Sequence, residues 1–389
     1  MISVLCLSNL YPNAVQPRKG VFVRERLRHV MATGKVNVQV IAPVPWFPLE
    51  SSRFGQYGEF ARIPAFSDDD LGRAYHSRYF ILPKIGAAFT PKTYAAAVKR
   101  TIAREGLGSF DVIDSHFMFP DGAAAVLLGE QLGIPVVCTA RGSDLNVMPD
   151  DRFAGPWIRD TLTKADAVIG VSQSLVDRAS ELGAPASKTH VLLNGVDRER
   201  FHAKDRDACR SHLDFKGPTA LVVGNLVPVK GQALAIEMLT RVPELSLVVV
   251  GRGPLLESLQ SLSERLGVQG RVRFVAEITQ AMLVDYYNAA DVSLLPSRAE
   301  GMPNVVLESL ACGTPVVACN VGGVNEIIGG SATSAVVEGR DVGDFAEAVK
   351  RVLARSAAPQ DVIEDIAAFD WQKTASGIVD LFESLTRKH

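Results

Sequence analysis

Two glutamates that lie eight residues apart in the second half of the chain could take part in chemistry. Glu300 and Glu308 lie in the stretch 296–315, which predicts a strand end, a loop, a short helix and a stop. Glu308 is the only charge on an otherwise apolar helix, so its carboxylate needs hydrogen-bond donors if it is buried. Glu300 precedes Gly301 in the loop, where backbone can approach a ligand closely. The pattern fits a pocket for phosphate and hydroxyl groups, and equally a capped core helix with Glu308 turned to solvent.

The ends of this short helix are marked by their residue types. Asn304 is predicted as the N-cap and Gly313 as the residue just beyond the last turn, while Pro315 forbids continuation. The N–H groups in the first turn of a helix have no intrahelical partner and favour an anion. A phosphate is therefore a natural ligand for this stretch.

Four further residues could contribute chemistry at strand ends. Lys230 lies in a glycine-flanked loop, 224–231, that opens a helix, which makes it a plausible phosphate ligand, although the spacing is not that of a Walker loop. His116 follows one apolar strand, and Arg141 and Asp144 follow the next. Because the carboxyl ends of parallel strands share one edge of a sheet, these three could converge. His116 taken alone is equally typical of a loop hydrogen-bonder.

The elements that would position these residues alternate in each half of the chain. Apolar strands alternate with helices, which predicts an α/β protein with two doubly wound, parallel-sheet (Rossmann-like) domains. Gly20 ends the first strand–loop segment and should border a cleft. We predict an N-terminal domain over 1–197 and a second domain over 198–370, with a C-terminal helix over 371–389 packing back towards the first.

Two other motifs argue against other chemistries. The Gly-x-Gly beginning at Gly251 lacks the third glycine of the dinucleotide fingerprint, because Leu256 occupies its place, and this weakens a dehydrogenase interpretation. The only carboxylate run, 68–70, resembles a metal-binding diacid. It lies in a segment, 46–92, that we predict to be irregular, with no apolar strand before it, so a metal site is disfavoured.

Composition narrows the class of protein. The 389 residues carry a net charge of −2, with 41 Lys and Arg against 43 Asp and Glu, and no basic run, which disfavours nucleic-acid binding. The start of the chain lacks a signal-peptide pattern, no apolar run is long enough to cross a membrane, and the five cysteines have no paired or metal-type spacing. These features predict a cytoplasmic protein with reduced thiols. Residues 1–195 carry 21 basic and 18 acidic residues, a small excess that leaves peripheral membrane contact open.

Together the motifs resemble those of the family four glycosyltransferases of the GT-B superfamily. The most specific is Pro-Ser-x-x-Glu-Gly-x-Pro followed by Glu308, and supporting matches are Gly224 to Gly231, Gly251-x-Gly253-Pro254, Asn194-Gly195-Val196-Asp197, Gly313-x-Pro315-Val316-Val317 and Gly322-Gly323-x-x-Glu326. The resemblance covers essentially the whole chain. It implies two domains facing across a cleft and a retaining, metal-independent transferase that needs no cofactor and uses a nucleotide-diphosphate sugar. Ser-Asn-Leu-Tyr-Pro near the start and the stretch 139–144 resemble transferases of cell-surface polysaccharide assembly, including teichuronic-acid-type enzymes, which act on glycan or lipid-linked acceptors.

The resemblance also implies roles for individual residues. Glu308 would hold the ribose, Glu300 would sit against the donor sugar, and Lys230 would bind the diphosphate. His116 would lie near the donor sugar and acceptor, with Arg141 and Asp144 on the acceptor side. The implied donor site as a whole comprises Gly20, Asn225, Lys230, Gly251, Ile278, Gly301, Met302, Pro303, Asn304, Val305 and Glu308.

The chain departs from the family pattern at two positions. Asn225 stands where the family usually has arginine, which removes one cation for the diphosphate, and Arg141 stands where many members have histidine. Arg141 could replace the lost charge or grip an anionic acceptor. Three alternatives remain: a GT-B-type nucleotide-sugar epimerase, a non-catalytic sugar-nucleotide-binding or assembly protein, and a glycoside hydrolase, which is the least favoured because Glu308 is placed to serve a ribose.

Overall fold

The chain divides into two compact α/β units. The computed structural model describes residues 1–46, 55–81, 88–276 and 278–387. Unit 1 comprises Met1–Leu193 and Trp371–His389, and unit 2 comprises Asn194–Asp370. The predicted boundary, 197/198, lies four residues beyond this division. The predicted architecture of two parallel-sheet domains is confirmed.

Unit 1 is built on an eight-stranded sheet in the order β10-β9-β8-β7-β1-β2-β5-β4. Its neighbouring strands are parallel except for the β4–β5 pair, and β3 and β6 form a separate parallel pair. The strands are β1 (Ile2–Leu7), β2 (Val36–Ile41), β3 (Val44–Pro45), β4 (Phe66–Asp69), β5 (Gly72–Tyr75), β6 (Arg78–Tyr79), β7 (Val112–His116), β8 (Val136–Ala140), β9 (Ala167–Gly170) and β10 (Thr189–Val191). The helices are α1 (Val21–Ala32), α2 (Gln56–Arg62), α3 (Thr90–Glu105), α4 (Ala123–Leu132), α5 (Ser143–Asn146), α6 (Ala154–Lys164), α7 (Gln173–Glu181) and, after unit 2, α16 (Trp371–Thr386).

Unit 2 contains a six-stranded, wholly parallel sheet in the order β13-β12-β11-β14-β15-β16. The strands are β11 (Thr219–Val223), β12 (Ser246–Val250), β13 (Val272–Val275), β14 (Val292–Leu295), β15 (Val316–Cys319) and β16 (Ala335–Val337). The helices are α8 (Arg206–Leu213), α9 (Gln232–Met238), α10 (Leu256–Arg265), α11 (Gln280–Ala289), α12 (Asn304–Ala311), α13 (Val324–Ile328), α14 (Val342–Arg355) and α15 (Pro359–Glu364).

Each sheet has one point at which its strand order reverses. In unit 1 this switch point lies between β1 and β7, and in unit 2 it lies between β11 and β14. Open parallel sheets bind ligands outside the carboxyl ends of the strands at such a point, because the following loops diverge there and leave a crevice. The loops after β1, β11 and β14 carry Gly20, Lys230 and Glu300, and His116 is the last residue of β7.

The prediction that the segment 46–92 is irregular is wrong for the residues that the structure describes. It contains α2, the antiparallel β4–β5 hairpin and β6, while 47–54 and 82–87 lie outside the described residues. The acidic run 68–70 lies in and after β4, where each carboxylate has a partner: Asp68 pairs with Arg73, Asp69 accepts from Tyr11, and Asp70 pairs with Arg24. These contacts explain the acidic run as part of a hairpin.

Candidate functional site

The loops after β11 and β14 meet at the switch point of unit 2. The backbone N–H of Arg298 donates to the carbonyl of Val229 over 2.7 Å. Lys230 Nζ donates to both carboxylate oxygens of Glu300, at 2.7 and 3.0 Å, and Ser297 Oγ donates to Oε1 at 2.6 Å. Lys230 and Glu300, which the sequence places 70 residues apart, therefore form one ion pair.

Glycines allow the backbone of these loops to pack closely. Gly251 has a φ of 153°, and a Cβ there would lie 1.9 Å from the carbonyl oxygen of Gly224. Gly231 has a φ of 62°, and a Cβ there would lie 2.2 Å from the carbonyl oxygen of Pro296. A side chain at either position would collide with backbone that cannot move aside easily, so these glycines fix the path of the loops.

Arg340, which follows β16, holds the start of the Glu300 loop. Its Nη1 donates to the carbonyls of Pro296 and Ser297, the latter at 2.8 Å. The sequence prediction missed this residue, since nothing in its local pattern distinguishes it from a surface arginine. Its side chain places a positive charge against the start of the loop that carries Glu300.

Glu308 has the donor that its place on an apolar helix requires. Its Oε2 accepts from the hydroxyl of Tyr287 over 2.9 Å, and Tyr287 is itself fully buried. Burial raises the pKa of Glu308 to about 7, against the opposing effect of the Tyr287 hydrogen bond. Tyr287 is a second residue of this site that the sequence prediction missed, although a half-buried carboxylate on an apolar helix implies some such donor.

The predicted N-cap of α12 is wrong, whereas its predicted end is correct. The N-cap is Pro303, in an extended conformation, and its carbonyl accepts from Val306 N. Asn304 is the first helical residue, and its Oδ1 accepts from Asn194 Nδ2 at 3.1 Å. At the other end, Gly313 with a φ of 77° donates to the carbonyl of Leu310. Thr314 N also donates back to Ser309 O, and the two bonds form a Schellman motif.

The remaining predicted donor residues differ in exposure. Asn225 is exposed, and its carbonyl accepts from Gln232 Nε2 at 2.9 Å. Gly301, Met302 and Pro303 are buried, and Val305 is partly exposed. Ile278 is buried, while the residue before it, 277, lies outside the described residues.

At the switch point of unit 1, Gly20 precedes the first turn of α1. It has a φ of 68°, and a Cβ there would lie 2.0 Å from the carbonyl oxygen of Leu10. Its own carbonyl accepts from Val23 N over 2.8 Å. Only glycine satisfies this conformation and this contact, so the loop after β1 is held directly against the start of α1.

His116 ends β7, is fully buried and lies between two charged side chains. Its Nδ1 lies 2.7 Å from Arg141 Nη2, and its Nε2 lies 3.3 Å from Asp114 Oδ2. Burial lowers the pKa of His116 to about 4, so the ring is neutral near pH 7. Asp114, two residues earlier on the same strand face, was not singled out from the sequence, although the two-residue period of a strand places it beside His116.

Asp144 joins the ends of β7 and β8 through backbone contacts. Its carboxylate accepts from the N–H groups of Met118 at 3.0 Å, Arg141 at 3.0 Å and Gly142 at 2.7 Å. Burial raises the pKa of Asp144, and these hydrogen bonds act in the opposite direction. The side chain is fully buried, and its predicted contact with an acceptor stays a prediction.

Family models match both units of the chain. The model described as Glycosyltransferase Family 4 matches residues 21–200, and the model described as Glycosyl transferases group 1 matches residues 205–368. The D-inositol 3-phosphate glycosyltransferase 2 of Catenulispora acidiphila is 33% identical over 322 residues, covering 74% of each chain. The chain belongs to glycosyltransferase family 4.

The transferase also resembles a relative over nearly its full length. The putative teichuronic acid biosynthesis glycosyltransferase TuaC of Bacillus subtilis is 29% identical over 401 residues, covering 99% of each chain. Among solved structures, sucrose-phosphate synthase from Thermosynechococcus elongatus aligns with a TM-score of 0.82 at 20% identity, covering 100% of each chain. Anabaena HepE in complex with UDP aligns with a TM-score of 0.73 at 18% identity, over 99% of this chain and 100% of that one. These likenesses confirm the GT-B fold predicted for the transferase.

The described part of the transferase contains neither a cluster of metal-binding side chains nor a helix suited to cross a membrane. Across these residues, no three His, Cys, Asp or Glu side chains are grouped so that they could share a metal ion. None of the helices described has the length and apolar character of a membrane span.

Proposed function

We propose that this transferase moves a sugar from a nucleotide-diphosphate sugar to a hydroxyl of a glycan or lipid-linked acceptor, with retention of the anomeric configuration. The observation that carries the proposal is the Lys230–Glu300 pair at the switch point of unit 2, with Glu308 on the helix that follows. Lys230 offers a cation for a diphosphate, and Glu300 offers a carboxylate beside glycine backbone for a sugar. Glu308 offers a carboxylate with a raised pKa for a ribose. The solved structure of HepE is a complex with UDP, which supports a nucleotide-linked donor for this transferase.

Lys230 and the first turn of α12 would stabilise the departing diphosphate. Cleavage of the bond between the anomeric carbon and the diphosphate oxygen leaves negative charge on the leaving group, which preorganised donors stabilise. An ammonium group has three N–H donors, and the two contacts to Glu300 leave one that can turn to a phosphate oxygen. The N–H groups of the first turn of α12 would add further donors. We therefore propose that neither a metal ion nor another cofactor is required.

Glu300 and Glu308 would divide the work of holding the donor. Glu300 is fixed by Lys230 and Ser297 in the loop, so it would orient the sugar hydroxyls close to the bond that breaks. Glu308, one helical segment away and held by Tyr287, would accept hydrogen bonds from the ribose hydroxyls. The acceptor hydroxyl would attack on the face that the diphosphate leaves, with a leaving-group oxygen taking its proton.

Product analysis would test the proposal. The purified transferase is incubated with a panel of nucleotide sugars and with three acceptor types: lipid-linked sugars, free oligosaccharides and D-inositol 3-phosphate. D-inositol 3-phosphate is included because the Catenulispora acidiphila relative is named for that acceptor. We expect free nucleotide diphosphate and an acceptor heavier by one sugar, with the donor's anomeric configuration by NMR and undiminished rates in EDTA. Inverted configuration or loss of activity in EDTA would refute the mechanism.

Two other results of this assay would indicate a function different from the proposed one. Conversion of the donor sugar to its epimer without an acceptor would identify an epimerase. Tight nucleotide-sugar binding with no turnover on any of the acceptor types would favour a binding or assembly protein.

We further propose that the transferase works in the cytoplasm and touches the membrane through unit 1, with a role in cell-surface polysaccharide synthesis. Trp46 and Phe80 are 47% and 49% exposed, and their rings lie 6.2 Å apart. Aromatic side chains of this kind favour the membrane–water interface. The near full-length likeness to a relative named for teichuronic acid biosynthesis supports the pathway. Co-sedimentation with vesicles should fall when both aromatics are replaced by serine, and unchanged sedimentation would refute the contact.

A further inference from the structure

A chain of four titratable side chains runs through unit 1 from α1 to the end of β8. Arg26 Nη2 lies 3.7 Å from Asp114 Oδ1, and Asp114 Oδ2 lies 3.3 Å from His116 Nε2. Arg141 Nη2 lies 2.7 Å from His116 Nδ1 at the other side of the ring. Residues of β1, β7 and β8 share this face of the sheet, and α1 covers it.

The contacts fix which nitrogen of His116 carries the proton. A guanidinium has donors and no acceptor, so Nδ1 must accept from Arg141. The proton of the neutral ring is then on Nε2, which faces the carboxylate of Asp114. Neither ring nitrogen is left directed to solvent in this arrangement.

Exposure distinguishes Arg141 from the other three members of the chain. Arg26 and Asp114 are each 1% exposed and His116 is 0% exposed, whereas Arg141 is partly exposed. The Arg141 guanidinium also lies 5.1 Å from the ring centre of Phe22 in the first turn of α1. A substrate arriving at this end of unit 1 would therefore meet Arg141 before it could meet His116.

We propose that Arg141 is the side chain of unit 1 that grips an oxyanion of the substrate, and that His116 is a positioning residue that holds its guanidinium. A planar guanidinium has five N–H donors in a fixed fork that matches a phosphate or carboxylate, and its bond to His116 uses one of them. Asp114 holds the imidazole from behind, in the orientation that offers Nδ1 to Arg141. The identity of the substrate rests on the proposed sugar transfer, whereas the arrangement of His116 and Arg141 does not.

Two substitutions of His116 separate this role from direct contact with substrate. Asparagine places an oxygen near the position of Nδ1 and can still accept from Arg141, whereas glutamine places its amide near Nε2 and faces Asp114 instead. We expect kcat/KM of His116→Asn to exceed that of His116→Gln by about tenfold, the loss of roughly one hydrogen bond to a charged group. Equal values, or a more active glutamine variant, would overturn the proposal. Melting temperatures of both variants check that each is folded.

A double-mutant cycle tests whether His116 acts through Arg141. Arg141→Gln and His116→Gln together should be no less active than Arg141→Gln alone, because the positioning role has nothing left to position. Losses that multiply would show an independent role for His116 and refute the inference. Arg104→Gln removes one exposed positive charge from unit 1 and serves as the control for net charge.

A measurement without turnover keeps this inference separate from the proposed function. Long-range 1H–15N NMR of the ligand-free protein should show His116 as the neutral Nε2–H tautomer, and inorganic phosphate should shift its Nδ1 resonance saturably. Arg141→Gln should abolish that shift, and Arg104→Gln should preserve it. An Nδ1–H tautomer, an imidazolium or no response to phosphate would refute the arrangement even if sugar transfer is found.

Nucleotide and acceptor measurements identify the source of the oxyanion. If it is the donor diphosphate, Arg141→Gln should weaken UDP binding by about tenfold and leave uridine binding unchanged. If it is an acidic group of the acceptor, UDP binding should be unchanged and the KM for an acceptor with a carboxylate or phosphate should rise by a similar factor. No change in either quantity would refute oxyanion binding by Arg141.

Discussion

Replacing Glu308 with glutamine should weaken nucleotide binding most strongly at high pH. Burial raises the pKa of the Glu308 carboxyl to about 7, and the Tyr287 hydroxyl already donates to one of its oxygens. The ionised carboxylate accepts hydrogen bonds from ribose hydroxyls more strongly than the protonated carboxyl, one oxygen of which carries a donor proton, so binding favours the ionised form. With a pKa near 7, about one carboxyl in eleven is ionised at pH 6 and about ten in eleven at pH 8. The contribution of Glu308 to affinity should therefore grow by about tenfold between these pH values.

Calorimetry with UDP at pH 6, 7 and 8 would measure this contribution. The phosphate of UDP also titrates in this range, but it does so equally with both proteins, so the ratio of the two dissociation constants isolates Glu308. At pH 8 we expect the variant to bind about 10- to 100-fold more weakly, the equivalent of one to two charged hydrogen bonds. At pH 6 the gap should shrink by about tenfold. A gap that stays constant with pH, or equal binding by both proteins, would refute the ribose-holding role.

The stability of the unliganded protein provides an internal control. A carboxyl whose folded pKa lies above its unfolded value stabilises the fold at low pH, and this contribution is lost as pH rises through about 7. The melting temperature of Glu308→Gln, taken relative to that of the wild type, should therefore be higher at pH 8 than at pH 5. A variant with weaker binding and higher thermal stability cannot owe its defect to unfolding.

Three more substitutions test the site in unit 2. Lys230→Ala should weaken UDP binding by about tenfold or more and spare uridine binding, whereas Lys230→Arg should retain much of the affinity; equal losses for both ligands would contradict a diphosphate role. Arg340→Gln should lower kcat by about tenfold, because it releases two backbone carbonyls that hold the Glu300 loop, and an unchanged kcat would show that the loop does not need this anchor. Gly251→Ala should destabilise unit 2 by about 3 kcal/mol or more in thermal unfolding, because its Cβ would meet backbone at 1.9 Å. Gly270→Ala, where a Cβ meets nothing within 4 Å, is the control, and similar losses for both would contradict the packing argument.

The sequence predicts the two sheets and the main site residues for the same physical reason. Alternating apolar strands and helices leave few topologies other than a doubly wound parallel sheet, and such a sheet gathers the loops after its strands at one edge. Lys230 and Glu300 could therefore be expected near one another without knowledge of any side-chain contact. Gly251 was predicted from the family resemblance alone, and the structure supplies the reason, because close backbone packing there restricts the residue type to glycine.

The partners of these residues could not be read from the sequence. Tyr287 and Arg340 reach the site from 21 and 43 residues away, and which side chain fills such a position depends on packing between elements rather than on local pattern. Asn304 was predicted as a cap because of its residue type, whereas the cap depends on the backbone conformation of the residue before it. The β4–β5 hairpin was missed because an acidic strand such as 66–69 lacks the usual composition of strands.

The return of α16 to unit 1 has a consequence for synthesis on the ribosome. Its side chains Ile378, Val379 and Phe382 share one apolar cluster with Val23 and Leu27 of α1. Unit 2 is continuous in sequence and can complete its core as soon as it has emerged, but the cluster in unit 1 stays open until α16, which follows unit 2, has been translated. A premature stop before Trp371 would leave unit 2 intact and the apolar face of α1 uncovered, so a truncated product should be recognised by chaperones through unit 1.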